Sequence, residues 1–229
     1  MAKTAFDFIL NGAPVRVEGA STNVSLLTWL RNTGRTGSKE GCAEGDCGAC
    51  TVALVDTNAQ GERTYRAINS CITLLPMVAG RELVTVEGVA FEQDKLHPVQ
   101  QAMVDNYGSQ CGYCTPGFVL SMFEAYYRED LGSEERQQQQ LGDQLNGNLC
   151  RCTGYRPIRE AMLEALAARP KAPDLFRLRL NKNDGSVPGF SYESNGETFL
   201  RPSSLEELLQ IKSEQREKAE LVGGATELG

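Results

Sequence analysis

The stretch EGCAEGDCGACT at residues 40–51 places Cys42, Cys47 and Cys50 in one loop with the spacing C-x4-C-x2-C. A fourth cysteine, Cys71, follows after a short strand-like segment and can close the set. This spacing is that of plant-type [2Fe–2S] sites, in which four thiolates hold the two irons. The loop therefore predicts an iron–sulfur site at the edge of a small sheet.

Three glycines in this loop, Gly41, Gly45 and Gly48, permit sharp bends and let backbone N–H groups approach the sulfurs. A structural zinc ion also accepts four thiolates. Zinc sites, however, more often pair C-x2-C knuckles than use one glycine-rich loop. The spacing therefore favours a cluster over zinc at this first set of cysteines.

A second set of cysteines combines Cys111-x-x-Cys114 with Cys150-x-Cys152. Both pairs fall in loops that precede predicted helices, where N–H groups favour a site of net negative charge. Spacing alone leaves a zinc ion open here, because C-x2-C is also a zinc knuckle. A redox-active dithiol at Cys111 and Cys114 fits less well, since no βαβ setting surrounds it.

Composition excludes several functions. The formal charge is −7, from 30 acidic and 23 basic residues, which argues against nucleic acid as a partner. No secretory signal and no apolar run of transmembrane length are found, so we expect a cytoplasmic protein with no membrane partner.

Eight thiols in a reducing compartment favour metal binding over disulfides. With His97 as the only histidine and no acid–base set, we expect no catalytic residue in this chain.

Period-two apolar patterns around the first loop predict strands at 5–10, 14–17, 51–55, 63–68 and 82–86. Asn11-Gly12 predicts a tight hairpin turn between the first two strands. SLLTWLR at 25–31 predicts a helix with Ser25 as its cap. Strands around one short helix indicate an α+β domain over residues 1–88.

A helical period replaces the strand period in residues 89–170. Helices are predicted from His97, from Thr115-Pro116 as cap and first turn, from Ser133, and from Pro157 to Arg169-Pro170. Four helices with short connections indicate a small all-helical domain. Residues 171–194 read as a linker, because they are rich in proline, glycine and asparagine.

Residues 195–229 predict the start of a further α/β unit, with a helix at 203–211 and a strand running from 219 into Gly223-Gly224. A strand followed by a glycine turn can cradle a pyrophosphate, although a plain turn is the commoner meaning. So short a segment cannot bury a core of its own, so we expect residues 195–229 to be poorly packed and to belong to a longer polypeptide.

Three motifs together carry a resemblance: EGCAEGDCGACT (40–51), QCGYCTPG (110–117) and GNLCRCTGYRPI (147–158). They resemble the iron–sulfur portion of the molybdenum hydroxylase (xanthine oxidase) family, over nearly all of residues 1–168. FLRPSSLEELL (199–209) and LVGGATELG (221–229) resemble the beginning of that family's FAD domain. Within the family, this fusion resembles the small iron–sulfur/FAD subunit of bacterial xanthine dehydrogenases, truncated at the start of the FAD domain.

The resemblance implies a β-grasp ferredoxin-like domain that holds one cluster and a helical domain that holds a second cluster, nearer to molybdopterin. It implies that Gln110 and Cys152 lie beside the pterin. The first FAD-binding loop would comprise Leu221, Val222, Gly223, Gly224, Ala225, Thr226, Glu227 and Leu228. Ala43 and Asp46 depart from the family, in which many members have glycine at both positions.

The implied function is electron transfer in a xanthine dehydrogenase, from molybdenum on a large partner subunit through two [2Fe–2S] clusters to FAD and then NAD+, within a higher-order hetero-oligomer. Two alternatives stay open. The chain resembles small subunits of aldehyde or N-heterocycle oxidoreductases too, although those usually lack the FAD fusion. A zinc-stabilised binding module without redox chemistry is the alternative of a different class.

Overall fold

The computed structural model describes residues 3–58, 60–91, 95–128, 134–170, 172–180 and 187–225, with only the backbone described at 134–138. The strands are β1 (Ala5–Leu10), β2 (Ala13–Glu18), β3 (Thr51–Thr57), β4 (Arg63–Asn69), β5 (Glu82–Val84), β6 (Phe190–Ser194) and β7 (Glu197–Arg201). The α-helices are α1 (Leu26–Asn32), α2 (Pro98–Asp105), α3 (Thr115–Tyr127), α4 (Glu134–Leu145), α5 (Arg156–Ala167), α6 (Leu175–Leu180) and α7 (Leu205–Gln215). Short 3₁₀ turns cover Leu75–Val78, Val86–Gly88 and Arg216–Lys218.

The first five strands form one mixed sheet in the order β2-β1-β5-β3-β4, in which only β1 and β5 are parallel. The turn between β1 and β2 has positive φ at both Asn11 and Gly12, as a tight hairpin turn requires. Ser25 accepts a hydrogen bond from the Thr28 N–H and caps α1, as the sequence predicts. The mixed sheet with one helix confirms the α+β expectation for this part of the chain.

Strand β3 runs through the middle of the molecule, and both of its faces are covered. Val52 and Leu54 join the core beneath α1, whereas Ala53 and Val55 join the core formed with the helices. Because successive side chains of a strand point to opposite faces, β3 separates two cores and belongs to both. The sheet therefore has one core of its own beneath α1 and shares a second core with the helical part of the chain.

Helices α2 to α5 are the four helices that the sequence predicts, and α3 lies innermost among them. Ten of its thirteen residues are buried, from Gly117 to Tyr127, because the sheet, α2, α4 and α5 all pack around it. The predicted start of α4 at Ser133 lies outside the described residues. Within the described part of the chain, no helix combines the length and the apolar character needed to cross a membrane.

The predicted linker at 171–194 contains two ordered elements, which corrects that expectation. Helix α6 buries Phe176 completely, and β6 buries Tyr192 completely. Each element is too short to show a period in the sequence, since α6 has six residues and β6 has five. Single large aromatic side chains attach both elements to the rest of the molecule. The domain limits at 88 and 170 stay predictions.

The β6–β7 hairpin packs on the first sheet through β6, and β7 adds two polar contacts although none of its side chains is buried. The Tyr192 ring meets the Phe6 ring edge to face at 5.0 Å between centroids. Glu197 accepts hydrogen bonds from Thr22 and Asn23, at 2.6 and 3.1 Å. Arg201 donates to the carbonyls of Met77 and Ala79, at 3.1 and 2.9 Å.

Beyond the hairpin, the packing becomes as sparse as the sequence predicts. Helix α7 begins after Ser204, which accepts from the Glu207 N–H, and none of its side chains is buried. The strand predicted from residue 219 is absent from the described segment 219–225, which has no regular structure. A strand requires a hydrogen-bonded neighbour, and the described residues supply none at this place.

Candidate metal centres

The first centre is a loop whose backbone N–H groups point at sulfur. The Cys42 sulfur accepts from the N–H groups of Asp46 and Cys47, both at 3.3 Å, and from that of Glu44 at 3.5 Å. The Cys47 sulfur in turn accepts from the Cys42 N–H at 3.3 Å. Burial raises the pKa of the Cys42 thiol, but these N–H donors outweigh burial and lower the pKa below its ordinary value.

Left-handed backbone at two positions lets this loop turn its N–H groups inward. Gly45 has φ +88°, and Ala43 has φ +62°. Gly41 is required for another reason, since a Cβ there would lie 2.6 Å from the Cys47 sulfur. The loop therefore leaves no room for side chains between its backbone and its sulfurs.

Cys50 and Cys71 form the buried half of the first centre. Their sulfurs lie 3.3 Å apart, and the Ser70 hydroxyl donates to the Cys50 carbonyl at 2.7 Å. The hydrogen bond between the two thiols lowers the pKa of Cys50 to about 6 and raises the pKa of Cys71. Cys42 is near enough to raise the pKa of Cys71 further by like-charge repulsion. The fold thus brings together all four cysteines that the sequence assigns to this site.

The second centre lies at the N-termini of α3 and α5. Cys114 occupies the N-cap of α3, one residue before the cap predicted at Thr115. Its thiol is paired with that of Cys150, while Cys111 is paired with Cys152. Burial, together with the hydrogen bond to Cys150, raises the pKa of Cys114 to about 12.

Cys150 is the more acidic thiol of its pair. Burial raises its pKa, but hydrogen bonds from the Thr153 hydroxyl and N–H, at 3.1 and 3.5 Å, lower it overall. Cys150 is buried, whereas Cys111 and Cys152 are exposed. One side of the second centre therefore opens to the surface of this chain.

All eight cysteines are free thiols arranged as four neighbouring pairs, two pairs in each centre. Among the described residues, no three cysteine, histidine or acidic side chains converge on a point that would hold a single metal ion. Each centre nevertheless brings four thiols together, which is the number of cysteine ligands that a two-iron cluster takes.

The two centres touch through their backbones. The Leu149 N–H donates to the Cys47 carbonyl at 3.0 Å, and the Asn148 side chain donates to the Gly48 carbonyl at 3.0 Å. The Tyr113 hydroxyl donates to the Glu40 carbonyl. Sequence reasoning missed this junction, although the Gly147-Asn148 pair, which Leu149 separates from the CRC motif, is a signal that could have indicated it.

The structure places the remaining predicted site residues, Gln110 and the FAD loop, without testing their predicted roles. Gln110 is exposed beside Cys111. In the predicted FAD loop, Leu221, Gly223 and Gly224 are exposed, Val222 is half-buried, and Ala225 is buried with φ +55°. The rest of that loop, Thr226, Glu227 and Leu228, lies outside the described residues. The roles assigned to Gln110 and to this loop stay predictions.

Two protein-family models match the chain. The model described as "2Fe-2S iron-sulfur cluster binding domain" matches residues 8–76, and that described as "[2Fe-2S] binding domain" matches residues 85–163. Each match contains one of the two cysteine sets. The families therefore agree with two iron–sulfur domains in the order that the sequence predicts.

Curated relatives include several xanthine dehydrogenases. That of Emericella nidulans is 45% identical over 155 residues, which cover 67% of this chain and 11% of the relative. That of Dictyostelium discoideum is 33% identical over 274 aligned residues, which cover 97% of this chain and 20% of the relative. The chain thus spans a small part, between 11% and 20%, of the length of these relatives.

Solved structures with the same fold include two oxidoreductases. A chain of quinoline 2-oxidoreductase from Pseudomonas putida 86 matches with a TM-score of 0.59 and 31% identity, over 71% of this chain and 93% of that chain. Aldehyde oxidoreductase from Desulfovibrio gigas matches with a TM-score of 0.60 and 34% identity, over 71% of this chain and 17% of that chain. Both similarities therefore extend over most of the described fold.

Proposed function

We propose that this chain relays electrons in a xanthine dehydrogenase, because it belongs to the molybdenum hydroxylase (xanthine oxidase) family and matches the iron–sulfur portion of that family. One observation carries the choice within the family. The match to the Dictyostelium xanthine dehydrogenase covers 97% of this chain and so extends past residue 170, while the match to the Emericella enzyme covers 67%. The segment after residue 170 is therefore aligned in the xanthine dehydrogenase.

Each cysteine set would hold one [2Fe–2S] cluster. Cys42, Cys47, Cys50 and Cys71 would hold the first, and Cys111, Cys114, Cys150 and Cys152 the second. When bound, such clusters supply one-electron redox chemistry, which suits a path between a two-electron oxidation and a flavin. The protein around them contributes ligands, hydrogen bonds and shielding from water.

The two centres differ in ways that suit different neighbours. The first centre buries Cys50 and Cys71, and its N–H donors stabilise negative charge on the Cys42 and Cys47 sulfurs. The second centre exposes Cys111 and Cys152, so a partner surface can approach it closely. We place the second centre toward the molybdenum-binding subunit, with Gln110 beside the pterin, and the first centre toward FAD.

The same proposal includes the partners and the location. LVGGATEL at 221–228 would contribute to the FAD site, and NAD+ would accept electrons from the flavin. The assembly would be a cytoplasmic hetero-oligomer with a molybdenum-binding large subunit. The quinoline and aldehyde oxidoreductase structures keep an N-heterocycle or an aldehyde as the alternative substrate.

Metal and sulfide analysis of the purified chain tests the cluster assignment. We expect about four iron and about four acid-labile sulfide per chain, because two binuclear clusters contain that number. EPR of the reduced protein should show two separate signals. Zinc in place of iron would overturn the proposal.

The substrate assignment requires the assembled enzyme. We expect urate formation from xanthine that depends on NAD+. Oxidation of an aldehyde or of quinoline, without turnover of xanthine, would reassign the substrate and leave the cluster assignment intact.

A further inference from the structure

In the loop from Cys42 to Cys50, the backbone N–H groups and the backbone carbonyls point in opposite directions. Its N–H groups at Asp46 and Cys47 point inward at the Cys42 sulfur. Its carbonyls at Cys47 and Gly48 point outward, away from those sulfurs, and accept hydrogen bonds from the second centre. The Gly48 carbonyl also accepts from the hydroxyl and the N–H of Thr51, at 2.7 and 3.2 Å, so donors from β3 and from the second centre together hold it in this orientation.

Asn148 is the side chain that supplies such a donor. It is 3% exposed, and its Nδ2 lies 3.0 Å from the Gly48 carbonyl oxygen and 3.4 Å from the Thr51 hydroxyl. The Ser121 hydroxyl donates to its Oδ1 at 2.6 Å. Three partners therefore fix the orientation of the Asn148 amide, with its donor side toward the first loop.

Two glycines allow this close approach of the loops. A Cβ on Gly48, which has φ +68°, would lie 2.2 Å from the Gly147 carbonyl oxygen. A Cβ on Gly117 would lie 2.1 Å from the Gly48 carbonyl oxygen. A side chain at either glycine would clash, so the hydrogen bonds of Asn148 lie in a tightly packed and buried place.

We propose that Asn148, although it belongs to the second cysteine set's loop, is a positioning residue for the first cluster and raises that cluster's reduction potential. Its amide donates to the Gly48 carbonyl, while its oxygen faces Ser121, so the positive end of the amide dipole is turned toward the first centre and favours added negative charge there. This inference rests on the proposed function, in which both cysteine sets hold clusters.

The test compares Asn148→Asp with Asn146→Asp in the full chain, by EPR-monitored redox titration of both clusters. The two substitutions add the same charge to the same loop, but Asn146 is exposed and its side chain has no such role. We expect Asn148→Asp to shift the first cluster to a more negative potential, well beyond the shift in Asn146→Asp. Equal shifts in the two variants would overturn the proposal.

A second pair, Asn148→Leu and Asn146→Leu, removes the amide without adding charge. We expect Asn148→Leu to shift the first cluster in the same direction, and an unmoved potential with full iron content would overturn the proposal. Iron lost from the first centre alone would support it, whereas iron lost from the second centre, alone or with the first, would overturn it. Wild-type protein without two clusters would instead refute the proposed function.

Discussion

At the scale of single residues, His97 shows how one buried side chain joins three elements. It begins α2, where its Nδ1 accepts from the Val99 N–H at 3.2 Å. Its Nε2 therefore carries the proton and lies 2.8 Å from the Tyr127 hydroxyl, which donates to Asp174 at 2.6 Å. The ring is completely buried and neutral, so this histidine is a structural residue at a helix start, as the sequence predicts.

Protonation of His97 should destabilise the fold. Burial lowers the pKa of His97 to about 4, although the Asp174 carboxylate opposes the shift. The unfolded chain takes up this proton near pH 6.5, so stability falls as the pH falls from about 6.5 toward 4. The loss should approach about 3 kcal/mol at pH 4. Urea unfolding of the wild type across this range measures it.

The control for this prediction is His97→Gln. Glutamine can accept from Val99 and donate to Tyr127, but it does not titrate. The difference in unfolding free energy between the wild type and this variant should therefore shrink or change sign as the pH falls. A difference that stays constant from pH 7 to pH 4.5 would show that His97 does not control acid stability.

The cysteines and Asn148 differ in how well their roles can be predicted from the sequence. The cysteines are predictable because their spacing is local and is set by the cluster that they bind. Asn148 is not, because its importance comes from contacts with Gly48 and Ser121, which are distant in the chain. A buried polar residue in a loop looks like an ordinary turn residue until its partners are known.

At the scale of elements, α6 connects the sheet to the helices. Phe176 packs edge to face on Phe123 at 4.9 Å, and its carbonyl accepts from the Tyr65 hydroxyl at 3.0 Å. Asp174 caps this helix by accepting from the Arg177 N–H at 2.9 Å. A segment that composition predicts to be a linker therefore contacts both β4 and α3 and connects them.

Truncation of the Phe176 ring should remove the contacts that connect α6 to β4 and α3. Phe176 is completely buried, so we expect Phe176→Ala to cost about 3–5 kcal/mol of unfolding free energy. Leu178→Ala in the same helix should cost less than about 0.5 kcal/mol, because Leu178 is 47% exposed. Denaturant unfolding of the two variants gives both values. Similar costs for both would mean that α6 does not depend on the Phe176 contact.

At the scale of the whole molecule, the sequence predicts the elements better than their assembly. The apolar run TVALV identifies β3, and in the structure Val52 and Leu54 lie on one face while Ala53 and Val55 lie on the other. Such a run indicates a strand buried on both faces, but it does not reveal which elements cover each face. The prediction of a sheet domain over residues 1–88 followed by a helical domain over residues 89–170 therefore does not include the core that the sheet and helices share.

A shared core should make the sheet and the helices unfold together. Trp29, the only tryptophan, packs against Phe8 on the α1 side of the sheet and reports on the first part of the chain. Circular dichroism at 222 nm reports mainly on α2 to α5. We expect the two signals to change at one denaturant concentration, because losing either part exposes Ala53, Val55 and Tyr65 of the common core.

Phe176→Ala provides the matched comparison for this experiment, since Phe176 contacts Tyr65 from the sheet as well as Phe123 from α3. If α6 contributes to the coupling, Phe176→Ala should increase the difference between the denaturant midpoints of the two signals. Leu178→Ala should leave the two transitions coincident. Two well-separated transitions in the wild type would mean that the shared core is too weak to couple the parts. In that case each cluster domain would fold by itself, with the junction at Asn148 formed afterwards.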